Sequence, residues 1–427
     1  MKRILALLLV VFSILSLPAC GGGSLEGTET VAETKNESTV QTKTEEPTSF
    51  PKVLDTKISE KIAALPIANA SMSTAELRQL CLDFFKIQLS FAWTPNKSFS
   101  YERTIGNKAS RNVGTVYGGI PYVHSTSQSL YSFLTFYDEA TGVLDVASAG
   151  ASPHNALGNQ CSGGSFWGWA RISNTMKWHK TLEIVAKNGA IPVGPYTYDL
   201  TMDNFLKCNT GTICVQNGNE VMYQSYAKLQ PADGLVWHDS SGGHVSMVHS
   251  CHVEYKNGKI DPDASYVLIQ EQSPGDEPTT QADGSPMTIQ QGVSNKHTFA
   301  TLFKKTYIPF TLAEFLGQDP IEEGSVTLGI EADSTDLDTI INGTMTASYA
   351  ISHIKITVLD KDGKEAVSKY YYLRTMEKSY NKAVRMMDFG ILRNTFSPHV
   401  KDGARIRVEA QLGNGEFLCA YEGNLVK

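Results

Sequence analysis

The 427-residue sequence contains no Gly-x-x-x-x-Gly-Lys loop, no Gly-x-Ser-x-Gly elbow and no His-Glu-x-x-His pair. Phosphate-cradling, serine-nucleophile and zinc-helix chemistries therefore lack the motifs that give them their geometry. Basic charge is also short. Lys and Arg number 37 against 44 Asp and Glu, a formal net charge of −7, which argues against nucleic acid as a partner. After the N-terminus, no segment is apolar enough to span a bilayer. The C-terminal part has no Cys…Trp…Cys spacing, which excludes an antibody-type domain there.

The N-terminus does not read as part of a fold. Lys2 and Arg3 precede the apolar run Ile4 to Leu17, and then comes Leu17-Pro18-Ala19-Cys20. A basic start, a short apolar stretch and a small-residue site predict a secretory signal over residues 1–20. The run falls short of the roughly 20 residues of a spanning helix. Its ending resembles the bacterial lipobox. That resemblance implies a lipid on Cys20 and a chain held at the extracytoplasmic face of the cell membrane. Residues 21–52 are Gly, Thr, Glu, Ser and Lys with hardly an aromatic, too polar to bury a core, and predict a disordered tether.

Five cysteines remain besides Cys20 and Cys161. Cys208 and Cys214 flank a turn-rich loop that a disulfide would close in an exported protein, two unpaired thiols being the alternative. Cys81 falls on a helical apolar stripe and reads as a small buried hydrophobe. Cys161 differs from these. It follows Gly158-Asn159-Gln160 and opens Cys161-Ser162-Gly163-Gly164-Ser165-Phe166-Trp167-Gly168-Trp169. That places a thiol at a helix N-terminus, where free N–H groups and the macrodipole favour the thiolate. Further on, His244 starts an alternating apolar strand, Gly243-His244-Val245-Ser246-Met247-Val248. A thiol on a helix and an imidazole on a later strand is the arrangement of cysteine hydrolases.

The periodicity predicts helices over Ser73–Ala92, Ser129–Asp138, Cys161–Met176 and Asn219–Leu229, and helix or strand over Thr181–Ala190. Strands follow at Leu235–His238, His244–Tyr255, Tyr266–Glu271 and Tyr307–Phe310, with an Asn257-Gly258 turn signal. Residues 273–296 are polar and read as a lid or surface loop. Helices followed by antiparallel strands predict an α+β domain over residues 53–320. After Glu322-Glu323-Gly324, short strands with Asp-Gly and Asn-Gly turns predict a β-sandwich over 321–427.

Three segments together resemble the NlpC-type, papain-like cysteine peptidases of bacterial cell walls. They are Gly119-Ile120-Pro121-Tyr122, Cys161-Ser162-Gly163, and Asp233-Gly234-Leu235-Val236 followed by Gly243-His244-Val245. Gln160 departs from the acid that family carries before its cysteine and is similar to the related CHAP amidases. The resemblance implies a papain-like domain with helices packed on an antiparallel sheet. It implies Cys161 as nucleophile, His244 as base, and a third residue, often an acid, on the strand after the histidine to orient the imidazole. Glu271 is the first candidate for that orienting residue and Gln272 the second. Strand alternation sends the two to opposite faces, so only one can serve. Tyr122, Gln160, Ser162 and Trp167 become substrate-binding candidates, and peptidoglycan stem peptide the expected substrate. No cofactor or metal is expected. His249, Cys251 and His252 form a poor zinc pattern because adjacent strand residues point apart. Amidase or acyl-transfer chemistry in the same fold, and a surface-binding lipoprotein without turnover, are the rival readings. Oligomeric state is left open.

Overall fold

The computed structural model describes residues 57–426 except 125, 147–156, 199–208, 281–285, 291–292, 331–333 and 374–382. The expected signal, the expected lipidation site Cys20, the expected tether and Cys208 lie outside the described residues. The chain is mixed α+β.

The first long helix, α1 (Thr74–Ser90), begins at a capping box. The Ser73 hydroxyl accepts from the Glu76 amide, and the Glu76 carboxylate accepts from the Ser73 amide, satisfying two otherwise orphaned donors. Its stripe Leu77, Leu80, Cys81, Phe84, Phe85 and Leu89 is buried. Arg78 on the same helix donates to Asp233 at 2.8 Å. Thr311 also donates to that carboxylate, at 2.5 Å. The buried pair ties α1 to the sheet behind it. Two further helices are α2 (Cys161–Trp169) and α3 (Thr210–Tyr226).

The sheet that carries the site comprises β1 (Ile191–Pro192), β2 (Gly234–Asp239), β3 (Gly242–His252), β4 (Tyr266–Gln270), β5 (Val293–Thr298) and β6 (Ile308–Thr311). Their spatial order is β5-β4-β3-β2-β6-β1, antiparallel throughout. Helix α2 packs on both α1 and β3. All nine of its residues are buried, so the nucleophile candidate stands on a helix inside the core and not on a surface element.

The described parts of the polar stretch read as a lid or surface loop are largely strand. Asp276–Thr280 pairs with Pro286–Gln290, which pairs in parallel with Val116–Gly118, and Val293–Thr298 is β5. Ladder bonds hold these strands, and Arg103 and Arg111 both reach Asp276 at 3.0 Å. Their sequences are polar and lack apolar alternation, so hydrophobic periodicity does not reveal them.

Two expected helices are shorter. Leu130–Leu134 ends before the strand Tyr137–Asp138. Helix α2 stops at Trp169 because the next residues turn inward. Arg171 is buried and donates to Tyr131 and to the Pro66 carbonyl, and Ser173 takes the Met176 amide at 3.0 Å. The Thr181–Ala190 segment is the short helix Glu183–Asn188, closed by Gly189 at φ 62°. Cys214 is a free buried thiol on α3, its sulfur 3.8 Å from the Tyr307 carbonyl.

The C-terminal residues have a second apolar core of their own, from Val326 to Leu425. It contains β7 (Ile351–Leu359), β8 (Glu365–Tyr371), β9 (Arg405–Leu412) and β10 (Phe417–Leu425), ordered β10-β9-β7-β8. The two cores meet through hydroxyls. Ser129 bonds Ser352, Ser132 donates to the Ser352 carbonyl at 2.9 Å, and Thr135 bonds Tyr372. Next to that junction His353 is 4% exposed, and burial holds its imidazole down to about 3. A histidine buried neutral binds its proton only in the unfolded chain, so stability is intact above about pH 6.5 and falls as pH drops below it. The expected loss by pH 4 is about 3 kcal/mol. Urea melts at pH 7, 5.5 and 4 check this. His353→Gln should flatten the slope, and an unchanged slope would assign the effect elsewhere.

Candidate active site

Cys161 is the first residue of α2, and Gln160 before it is extended at φ −104° and ψ 175°. The approach is pinned by backbone bonds. The Asn159 amide donates to the Pro121 carbonyl at 2.9 Å, Val123 to Asn159 at 2.9 Å, and Gln160 to Thr126 at 3.1 Å. These bonds place Tyr122 beside the thiol. The glycines after Ser162 have a packing reason. A Cβ on Gly163 would come within 2.1 Å of Asn159 Oδ1, and one on Gly164 within 2.9 Å of the Gln272 Cβ. A side chain at either position would push the helix start away from the loop that positions it.

His244 stands on β3 opposite Trp237 of β2. Glu271 directly follows β4, past a register shift between Leu268 and Ile269. His244 Nε2 lies 2.5 Å from Glu271 Oε2. Ser246, two residues along from His244, donates to the same oxygen at 3.2 Å, and Asn295 of β5 donates to Oε1 at 2.6 Å. With Nε2 committed to the carboxylate, Nδ1 is the nitrogen left for the thiol, with which the ring makes a hydrogen bond. The Tyr122 phenol is in hydrogen-bonding contact with both the Cys161 thiol and the Cys161 amide.

Charge separates this thiol from the others. Burial pushes Cys81 up, and Cys214 and Cys251 up to about 12. Burial acts on Cys161 in the same direction, but its thiol lies below the ordinary value. The His244 charge and hydrogen bond and the Val245 and Ser162 amides offset the burial. Burial likewise opposes the charged forms of His244 and Glu271. Glu271 and Cys161 nevertheless hold the imidazole well above its usual range, and His244, Asn295 and His297 hold the carboxyl below its own. The arrangement is a buried thiol–imidazole–carboxylate chain in which each group favours the charged form of the next. Together these interactions overcome desolvation.

A cleft of about 270 Å³ opens over Cys161. Tyr122, Gln160 and Ser162 line it, with Lys180–Glu183, His238 and Gly242–Gly243 opposite. Trp167, expected in the groove, does not line it. Its ring is 2% exposed in the core, and its N–H donates to the Ser127 carbonyl at 3.1 Å. Trp169 is buried too, donating to Ala232. Both rings are drawn in because the helix past its first turn is buried. Gln272 points away from His244, donating to the Ile120 carbonyl at 2.7 Å. His252 pairs with Glu254 at 2.8 Å and stacks on Tyr266. Ser246 and Asn295 were missed from sequence. Ser246 carried a signal, being two residues from His244 on a strand and so on the same face. Asn295 carried none, because its segment reads as loop. No family model, no curated protein and no solved structure matches the chain.

Proposed function

We propose that the protein is a cysteine hydrolase that cleaves amide bonds through a Cys161 thioester. The observation that carries this reading is His244, shared between the Cys161 thiol and Glu271, in a core where burial raises the thiols of Cys81, Cys214 and Cys251. The thiolate attacks the amide carbonyl. His244 gives its proton to the leaving amine, and the C–N bond breaks to leave a thioester. Water then attacks, His244 takes its proton, and the C–S bond breaks to release the acid. The sum is amide plus water giving acid plus amine. We assign the tetrahedral oxyanion to the Cys161 amide, first in the helix, and the Tyr122 phenol, which bond each other and the thiol in the free protein and would turn to the oxyanion as it forms. Losing one such donor typically costs ~3–4 kcal/mol of barrier.

The fold we infer is papain-like, of the NlpC and CHAP kind, followed by a β-sandwich. The lipobox-like start implies a lipid-anchored enzyme outside the cytoplasm, and the tether would let it reach peptidoglycan stem peptides. Incubation with purified cell wall tests the reading. The wild-type protein should release fragments with new amine termini detected by mass spectrometry, and Cys161→Ala should release none. Intact wall with both would favour a binding protein or a different acyl substrate.

A further inference from the structure

The Glu271 carboxylate is buried, and one donor on it comes from outside the strands that carry Cys161's partners. Oε2 takes His244 and Ser246, and Oε1 takes Asn295 at 2.6 Å. Asn295 sits at an irregularity in the β4–β5 ladder. Ile269 faces Asn295, but Gln270 faces Val293, which leaves Ser294 as an extra residue. A bulge of this kind bends the strand and re-aims its side chains. The other groups facing Glu271 are His297 of β5 and, from the segment before β6, Tyr307, with Tyr122 and Cys161 across the imidazole. Burial holds the His297 imidazole below its usual range. Tyr307 is a neutral phenol pushed up by burial. Neither replaces the Asn295 hydrogen bond at Oε1.

We propose that Asn295 is a positioning residue for the Cys161–His244 pair. Its amide fixes Oε1 of Glu271, so that Oε2 is presented to His244 and not free to rotate away. A carboxylate fixed at both oxygens keeps its charge at the imidazole, which keeps its own charge at the sulfur. Without Asn295 the carboxylate loses a charge-assisted bond and its hold on His244 weakens. The thiol then ionises at higher pH. The inference rests on the cysteine–histidine reading of the site, but not on any substrate.

The test is alkylation of Cys161 by iodoacetamide from pH 4 to 9, followed by mass spectrometry of the Cys161 peptide. The proteins compared are the full chain, Asn295→Ala, Asn295→Ser and Asn217→Ala. Asn217 bonds Thr197 and the Ile213 carbonyl and serves as a structural control. Asn295→Ala should label about tenfold more slowly at pH 5–6, its profile shifted up by about one unit, with Asn295→Ser between it and the wild type. Asn217→Ala should lower the melting temperature and leave the profile unmoved. A wild-type profile in Asn295→Ala overturns the proposal, and should that variant not fold, the same outcome in Asn295→Ser overturns it. If Cys161 of the unaltered protein behaves as an ordinary thiol, the cysteine–histidine reading itself fails.

Discussion

His244→Ala slows alkylation of Cys161 at pH 6 by roughly 100-fold or more. With the imidazolium in place the thiol lies below its ordinary value although it is buried. Without it, burial is opposed only by neutral donors, the Val245 and Ser162 amides and the Tyr122 phenol. Even an ordinary thiol is only about 0.3% thiolate at pH 6. A more basic sulfur is also more nucleophilic, which returns part of the loss but not most of it. Peptide mass spectrometry after short iodoacetamide pulses reads the rate, and the exposed Cys419 supplies an internal standard expected to stay constant. Equal labelling of Cys161 in variant and wild type would mean that His244 does not set its charge.

Glu271→Gln lowers kcat for amide hydrolysis by up to about 10⁴-fold, the loss seen when the carboxylate orienting a catalytic histidine becomes a neutral amide. The direction of the pH effect follows from the same contact. Glu271 holds His244 protonated to higher pH than usual. Removing the negative charge releases that proton earlier, so the basic limb of the rate profile moves to lower pH. Stability should fall as well, because removing one partner of a buried ion pair leaves the His244 charge uncompensated, so kcat is read on variant protein whose folded state is checked by circular dichroism. A variant with reduced activity and an unmoved basic limb would leave Glu271 a structural role only.

Much of the site is legible in the chain because it rests on local rules. Cys161 opens a helix, His244 stands on an alternating strand, and Glu271 ends the next strand. Alternation alone sends Gln272 to the opposite side, where it meets Ile120. The capping box at Ser73 announces α1 in the same way. The groove was less legible. Trp167 resembles a cleft aromatic, but past its first turn the helix that carries it is buried, which periodicity on one strip of sequence does not reveal. Asn295 was invisible for a different reason. Its strand is polar and owes its place to ladder bonds with β4, so no apolar pattern marked it as sheet, and its contact with Glu271 crosses 24 residues. The free thiol of Cys214 shows the same limit, since loop composition permits a disulfide without requiring one.

The thioester is the central claim, and trapping it is the most direct test. The protein is mixed with purified muropeptides, quenched in acid within one turnover and digested for mass spectrometry. An acyl group on the Cys161 peptide, absent in Cys161→Ala and accumulating in a variant slow to activate water, is the result expected. Hydrolysed muropeptides with an unmodified Cys161, or with equal turnover by Cys161→Ala, would contradict it.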